Sequence, residues 1–160
     1  MAEQPLITEA IRKAIGVESE PVAFKVDKER IKSFARAIQD PNPLWNDERQ
    51  ARKTRYGGLI APPIFLMSLR NERWIEDNLT LIDCPLKGVL MGGQEFEFYE
   101  PIRSGDTIYV SCKLVDALVK EGKSGKMVLL ISDISYQNHF GDLVAKVRRT
   151  TIRTSPVSSP

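Results

Sequence analysis

"RYGGLIAPPIFLMSLRNERWIED", residues 55–77, is the stretch whose reading decides the fold. Gly57, Gly58 and the Pro62-Pro63 pair punctuate its entry, and Ile64, Phe65, Leu66, Met67 and Leu69 then leave almost no polar face on the turns that follow. A helix apolar nearly all round is a buried one. The stretch therefore predicts a helix that begins near Pro63 and lies inside the protein, and the rest of the chain has to supply what buries it.

The C-terminal half does so. Four long strand-like runs, 88–102, 105–120, 125–139 and 141–155, are separated by "RSGD", "EGKSG" and "HFGD", which carry the Gly, Asp and Ser that tight turns demand. Four such runs joined by turns predict an antiparallel meander. In the second, Ile108, Val110, Cys112 and Leu114 share one face while Tyr109, Ser111 and Lys113 share the other, so one side is buried and one is wetter. A buried helix and a sheet with one apolar face answer each other's need, which makes the fold class α+β, a long antiparallel sheet wrapped round a central helix.

Upstream the signals are helical. Ile7, Ala10, Ile11 and Ala14 recur at helical spacing between Thr8 and Gly16, predicting a short N-terminal lid. "PVAFKV" (21–26) reads as a strand, and Asp27 is placed to cap a helix with the stripe Ile31, Phe34, Ala35 and Ile38. Pro41 ends that helix at Asp40, and "DERQARKT" (47–54) predicts a short charged helical piece.

At 160 residues the chain fits one domain, 1–155, with a mobile tail at 156–160. Lys and Arg number 23 against 21 Asp and Glu, a formal charge of +2, and the charges are scattered apart from small clusters such as "KVRRTTIR" (146–153), so nucleic acid is not indicated as a partner. No basic-then-apolar leader and no run of about 18 apolar residues is written here, which predicts a cytoplasmic chain without a membrane span. Cys84 and Cys112 are isolated and read as small apolar residues; no metal site is expected.

One loop asks for a function. In "DPNPLWND" (40–47) each proline pushes the residue before it towards extended geometry, so the loop holds Asp40, Asn42 and Trp45 stiffly between two helical patterns. With "YGGLIAPPIFLMSL" (56–69) and "GGQEFEFYEPIRSGDTI" (92–108), in that order, the chain from about residue 20 to 155 resembles the MaoC-like, or (R)-specific enoyl-CoA hydratase, family of the hot-dog fold. The likeness is to the N-terminal MaoC-type dehydratase branch, similar to the dehydratase part of type I fatty-acid synthases. It implies an acyl thioester as substrate, presented by coenzyme A or a carrier-protein arm, no cofactor, and pairing side by side as a homodimer or as a heterodimer with a second MaoC-like chain.

The resemblance also assigns residues. In the family's hydratases this loop reads Asp, any residue, Asn, Pro, an apolar residue, then His, and the Asp and His hold the water that adds to the β-carbon of the enoyl thioester. Asp40 and Asn42 match; the His position is Trp45, whose indole is a donor with no useful basicity. The family's central helix opens with a Gly whose N–H polarises the thioester carbonyl. The matching stretch is Ala61-Pro62-Pro63, and Pro63 has no N–H. The only histidine, His139, falls in a turn near the C-terminus and reads as a surface residue.

The expectation is therefore a hydratase/dehydratase-type subunit that shapes the substrate tunnel for a catalytic MaoC-like chain. The candidate catalytic residues are Asp40 and Asn42; the candidate substrate-binding residues are Trp45, Gly57, Gly58, Ala61, Pro62, Pro63, Phe65, Gly92 and Gly93. Phe65 and Met67 also fit ordinary core, and Arg52, Lys53 and Arg55 fit a solvated face as well as a phosphate contact. Three alternatives remain: a hydratase active alone through Asp40, a hot-dog thioesterase using Asp40 or Glu95, and an acyl-CoA-binding module without catalysis.

Overall fold

The computed structural model describes residues 5–155; the predicted tail at 156–160 lies outside the described residues. Five strands form one antiparallel sheet: β1 (Val22–Lys25), β2 (Gly88–Phe98), β3 (Thr107–Gly122), β4 (Gly125–Gln137) and β5 (Leu143–Thr154), in the order β1-β3-β4-β5-β2. The expected meander holds for β3, β4 and β5 and fails for β2, which pairs with β5 at the far edge. The cause lies in the connection. After β2 the chain reaches Pro101, which has no N–H to give a ladder. Residues 101–106 are then held by other segments: the Ala61 N–H donates to the Ile102 carbonyl at 2.8 Å and the Gly105 N–H to the Val26 carbonyl at 2.7 Å. The "RSGD" turn thus carries the chain across the fold instead of closing a hairpin.

The segment after Pro63 is buried as expected, but it is not one continuous helix. It forms a 3-10 helix (Pro63–Ser68), breaks, and resumes as α5 (Glu72–Ile75), which runs into a π-helical turn (Glu76–Thr80). Asn71 makes the break: its side chain accepts the Trp74 N–H at 3.2 Å and caps a fresh helix start. Phe65, Leu66, Leu69 and Leu79 pack in one core with Ile108, Val110, Cys112 and Leu114 of β3 and Val128 and Leu130 of β4. The alternation read in β3 is the one observed, and the architecture is the α+β hot-dog arrangement. No helix among the described residues is long and apolar enough to cross a membrane.

Four further helices precede this core: α1 (Glu9–Ala14), α2 (Lys28–Ala37), α3 (Pro43–Asn46) and α4 (Glu48–Arg52). Thr8, Asp27 and Asp47 cap α1, α2 and α4. α2 ends three residues before Asp40, with Gln39 in the left-handed region at φ 55°, and the one-turn α3 within "DPNPLWND" was not foreseen.

Cys84 and Cys112 are free and buried. Burial pushes the Cys112 thiol from an ordinary 9.0 up to about 12, against a smaller downward pull from Arg149. A raised folded-state value means that the fold favours the protonated thiol, so this contribution is complete below about pH 9 and drains away as pH rises towards 12. Cys112→Ala is expected to flatten the fall in melting temperature between pH 9 and 11 while leaving the profile below pH 8 unchanged in shape. An unaltered slope would contradict that account.

Candidate functional site

The loop ahead of the buried segment is tied down by its own side chains. Asp40 Oδ1 accepts the Asn42 N–H at 3.0 Å, and Asn42 Oδ1 accepts the Leu44 N–H at 3.0 Å, two successive turns of the kind Asp and Asn favour before proline. Asn42 sits at φ −56°, ψ 127°, the extended geometry that Pro43 imposes. Asn46 Nδ2 then donates to the Asp40 and Asn42 carbonyls at 2.8 and 2.9 Å. The loop is as stiff as its prolines predicted, and its function in the fold is to seat Trp45.

Trp45 is 8% exposed and lines a cavity of about 350 Å³. Its walls come from α3 (Leu44, Trp45), the entry to the buried segment (Tyr56, Ile60–Pro63, Leu66), the end of β2 and its exit (Phe98–Ile102) and Val144 of β5. The size is at the lower end of small-molecule sites and the walls are mostly apolar, with four aromatic rings. Trp45 Nε1 is buried without a hydrogen-bond partner among the described residues. It is a buried donor without an acceptor, on a side chain that lines the apolar chamber. Around it, Arg55 stacks on the Tyr56 ring, 4.9 Å from its centroid, and donates to the Tyr56 hydroxyl at 2.7 Å. The hydroxyl of Tyr99 donates to Glu97, which raises the phenol above its ordinary value.

The structure thus brings together Trp45, Ala61, Pro62 and Pro63 of the expected set. Gly57 and Gly58 fall in an adjoining cleft of about 290 Å³ that Lys28, Arg52 and Arg103 also line. Asp40 and Asn42 are in the loop and do not line the chamber. Phe65 is fully buried and meets Phe34 edge-on at 5.3 Å between centroids, so the ordinary-core reading of it is the observed one. Gly92 and Gly93 mark a bulge in β2, where a Cβ on Gly92 would come within 3.0 Å of the Ile152 side chain. His139 sits in the β4–β5 turn, accepting the Thr107 N–H at 3.3 Å. Sequence reasoning missed Tyr56, Phe98, Tyr99 and Glu100; the aromatic run "FEFYEP" (96–101) was the local sign of the last three, and Tyr56 stood unremarked at the head of "YGGLIAPPIFLMSL". Among the described residues Glu100 is the sole carboxylate on the chamber wall.

Comparison with known proteins agrees with this geometry. Residues 13–147 match the family described as FAS1-like, dehydratase domain region. A UPF0336 protein of Thermobifida fusca is 33% identical over 118 residues, 72% of this chain and 75% of that protein, and one of Saccharopolyspora erythraea is 35% identical over 112 residues, 68% and 70%. Among solved structures, the ChsH1-ChsH2 complex of Mycobacterium tuberculosis superposes with a TM-score of 0.74 at 20% identity, over 94% of this chain and 97% of that one. The HadBC (3R-hydroxyacyl-ACP dehydratase) complex of the same organism gives 0.71 at 22%, over 87% and 96%. The (R)-hydratase PhaJ1 of Pseudomonas aeruginosa gives 0.65 at 20%, over 91% and 87%. A match over most of the chain, on a fold shared with the MaoC-like hydratases, means that the chain belongs to the FAS1-like dehydratase family.

Proposed function

We propose that this chain is the substrate-pocket subunit of an enoyl-thioester hydratase/dehydratase, paired with a second hot-dog chain that supplies the acid/base residues. The observation that carries the reading is the chamber itself. It is apolar, sized for an acyl group, and the side chain that the reactive loop delivers into its wall is an indole. An indole cannot take a proton from water, and Pro63, at the mouth of the 3-10 helix, has no N–H for a thioester carbonyl. Trp45 Nε1 offers instead a binding contact to the substrate. The adjoining cleft holds Lys28, Arg52 and Arg103, cations for the phosphates of coenzyme A or of a carrier-protein arm, together with Glu48, which pairs with Lys28 and Arg52 at 3.9 and 2.6 Å and which a phosphate would replace as their partner. Pairing is supported by β2, an edge strand whose Val89, Leu90 and Met91 are exposed, and by structural neighbours that are themselves two-chain complexes.

The test is hydration of a short and a long trans-2-enoyl-CoA by the purified chain at high concentration, alongside Asp40→Asn and Glu100→Gln. No turnover above buffer is expected from any of the three. Turnover that disappears in Asp40→Asn would establish a hydratase active alone, and turnover that disappears only in Glu100→Gln would move the chemistry to the chamber's own carboxylate.

A further inference from the structure

A second polar feature lies away from this chamber, on the inner face of the sheet. Of the four buried side-chain nitrogens and oxygens without a partner among the described residues, three are Ser132 Oγ, Arg149 Nε and Thr151 Oγ1. They are neighbours: Ser132 stands directly opposite Arg149 across β4 and β5, and Thr151 follows Arg149 by two residues on the same face. Gln94 of β2 flanks Arg149 on its other side in the same cross-strand row. Ser132 and Thr151 are 0% and 3% exposed. Buried polar groups in native folds are almost always satisfied, and of the three only Arg149 lines the cavity shared with Arg70 and Gln94, from which a ligand could reach it.

The contrast with Arg153 shows that the fold can satisfy an inward arginine. Arg153, one pleat repeat beyond Thr151 on the same face, donates to the carbonyls of Leu79, Thr80 and Leu86 at 2.9, 2.9 and 3.0 Å. The Arg149 side chain makes no hydrogen bond or ion pair among the described residues, and its Nε is buried. It lines a small cavity of about 60 Å³ together with Arg70, Gln94, Tyr136, Met67 and Met91, and no carboxylate among the described residues lines that cavity. Burial, and after it the neighbouring Arg70 guanidinium, hold Arg149 below its ordinary basicity against smaller upward pulls from Tyr136, Cys112 and Glu72, and Glu72 itself is paired with Arg70 at 3.2 Å. Arginine donates only, in a planar fork that matches a carboxylate. The remaining walls are Leu69, Ile75, Val110, Cys112 and Ile134, apolar apart from the thiol, and the polar Asn71.

We propose that this cavity is a carboxylate-binding site centred on Arg149, which takes the carboxylate end of an aliphatic ligand, with Arg70, Asn71, Gln94 and Tyr136 in its polar surround. Two sources share that chemistry: a free short-chain acid, and an acyl thioester tipped with a distal carboxylate. The second rests on the proposed function. It fits the geometry because Leu66 and Met67, adjacent in the 3-10 helix, line the first and second cavities respectively. Along β2, Phe98 lines the first and Gln94 the second, four residues apart or about 13 Å of strand.

Calorimetric titration of the full chain with pentanoate, pentanamide, hexanoyl-CoA and hexanedioyl-CoA tests it. Pentanoate is expected to bind at least tenfold more tightly than its neutral amide, or hexanedioyl-CoA at least tenfold more tightly than hexanoyl-CoA, and Arg149→Met to erase the difference. Selectivity for pentanoate alone identifies a free-acid site and holds even where the thioester reading fails; selectivity confined to the thioester pair identifies the acyl group. Without ligand, Arg149→Met is expected to melt at or above the wild-type temperature, since it removes an unpaired half-buried charge. The proposal is overturned by equal binding of charged and neutral members of both pairs, or by no binding at all. It is equally overturned if Arg149→Met unfolds the chain or dissociates its assembly, which would make Arg149 a structural or interface residue.

Discussion

Replacing Arg153 with Met is expected to cost about 3–5 kcal/mol of folding stability, a fall in melting temperature of roughly 10 °C for a chain of this length. The guanidinium is 1% exposed and its Nε and Nη1 bond to three carbonyls, those of Leu79 and Thr80 at the end of the π-helical turn and that of Leu86 in the loop leading to β2. Helix C-termini leave carbonyls without intrahelical partners and carry partial negative charge, and a buried cation there both satisfies and neutralises them. Met keeps the volume and the apolar stem but leaves three acceptors unpaired inside the fold. Arg153→Lys is expected to lose less, because a single ammonium keeps the charge but lacks the fork that reaches three oxygens. Thermal and urea unfolding of the two variants read this directly. A Met variant within 1 kcal/mol of wild type would mean that the strand does not hold the helix end.

That arginine also shows what was legible in the sequence and what was not. "KVRRTTIR" looks like a loose basic cluster, yet strand alternation divides it: Arg148 faces out, in a two-pronged pair with Asp133 at 2.8 and 2.9 Å, while Arg149 and Arg153 face in. Period-two reading gives the facing; the partners, residues 67 and more away in the chain, it cannot give. The same limit explains the strand order. Every strand was readable as a run between turn residues, and β3 from its alternation as well, but the placement of β2 beside β5 follows from Pro101 and from bonds to Leu59, Ala61 and Val26, contacts between distant segments. The buried segment was legible because its burial is written in composition, and its division was not, because the Asn71 cap competes with helix continuation only once Trp74 has its place in the core. Of the chamber, Trp45 and Ala61–Pro63 were readable as motif positions. Tyr56 and Glu100 were not, since only the crossing connection brings them to one wall.

Assembly of the chain with a hot-dog partner that carries the Asp and His is expected to raise hydration of a trans-2-enoyl thioester at least about 10²–10⁴-fold above the buffer background that the isolated chain gives, the worth of one positioned acid/base group. The variants then divide the roles. A wall residue binds substrate and transition state alike, so Trp45→Phe, which keeps the ring and loses the Nε1 donor, is expected to raise KM several-fold with little change in kcat. Asp40→Asn is expected to leave both unchanged, because its carboxylate is held in the turn with the Asn42 N–H and does not line the chamber. Val89→Lys combined with Met91→Lys, on the exposed edge strand, is expected to abolish the gain by blocking assembly, visible as monomers in sedimentation. A kcat that collapses in Asp40→Asn within the assembled pair would reverse the assignment: the proton would then be moved by this chain, and the partner's His would complete a site that Trp45 leaves one residue short.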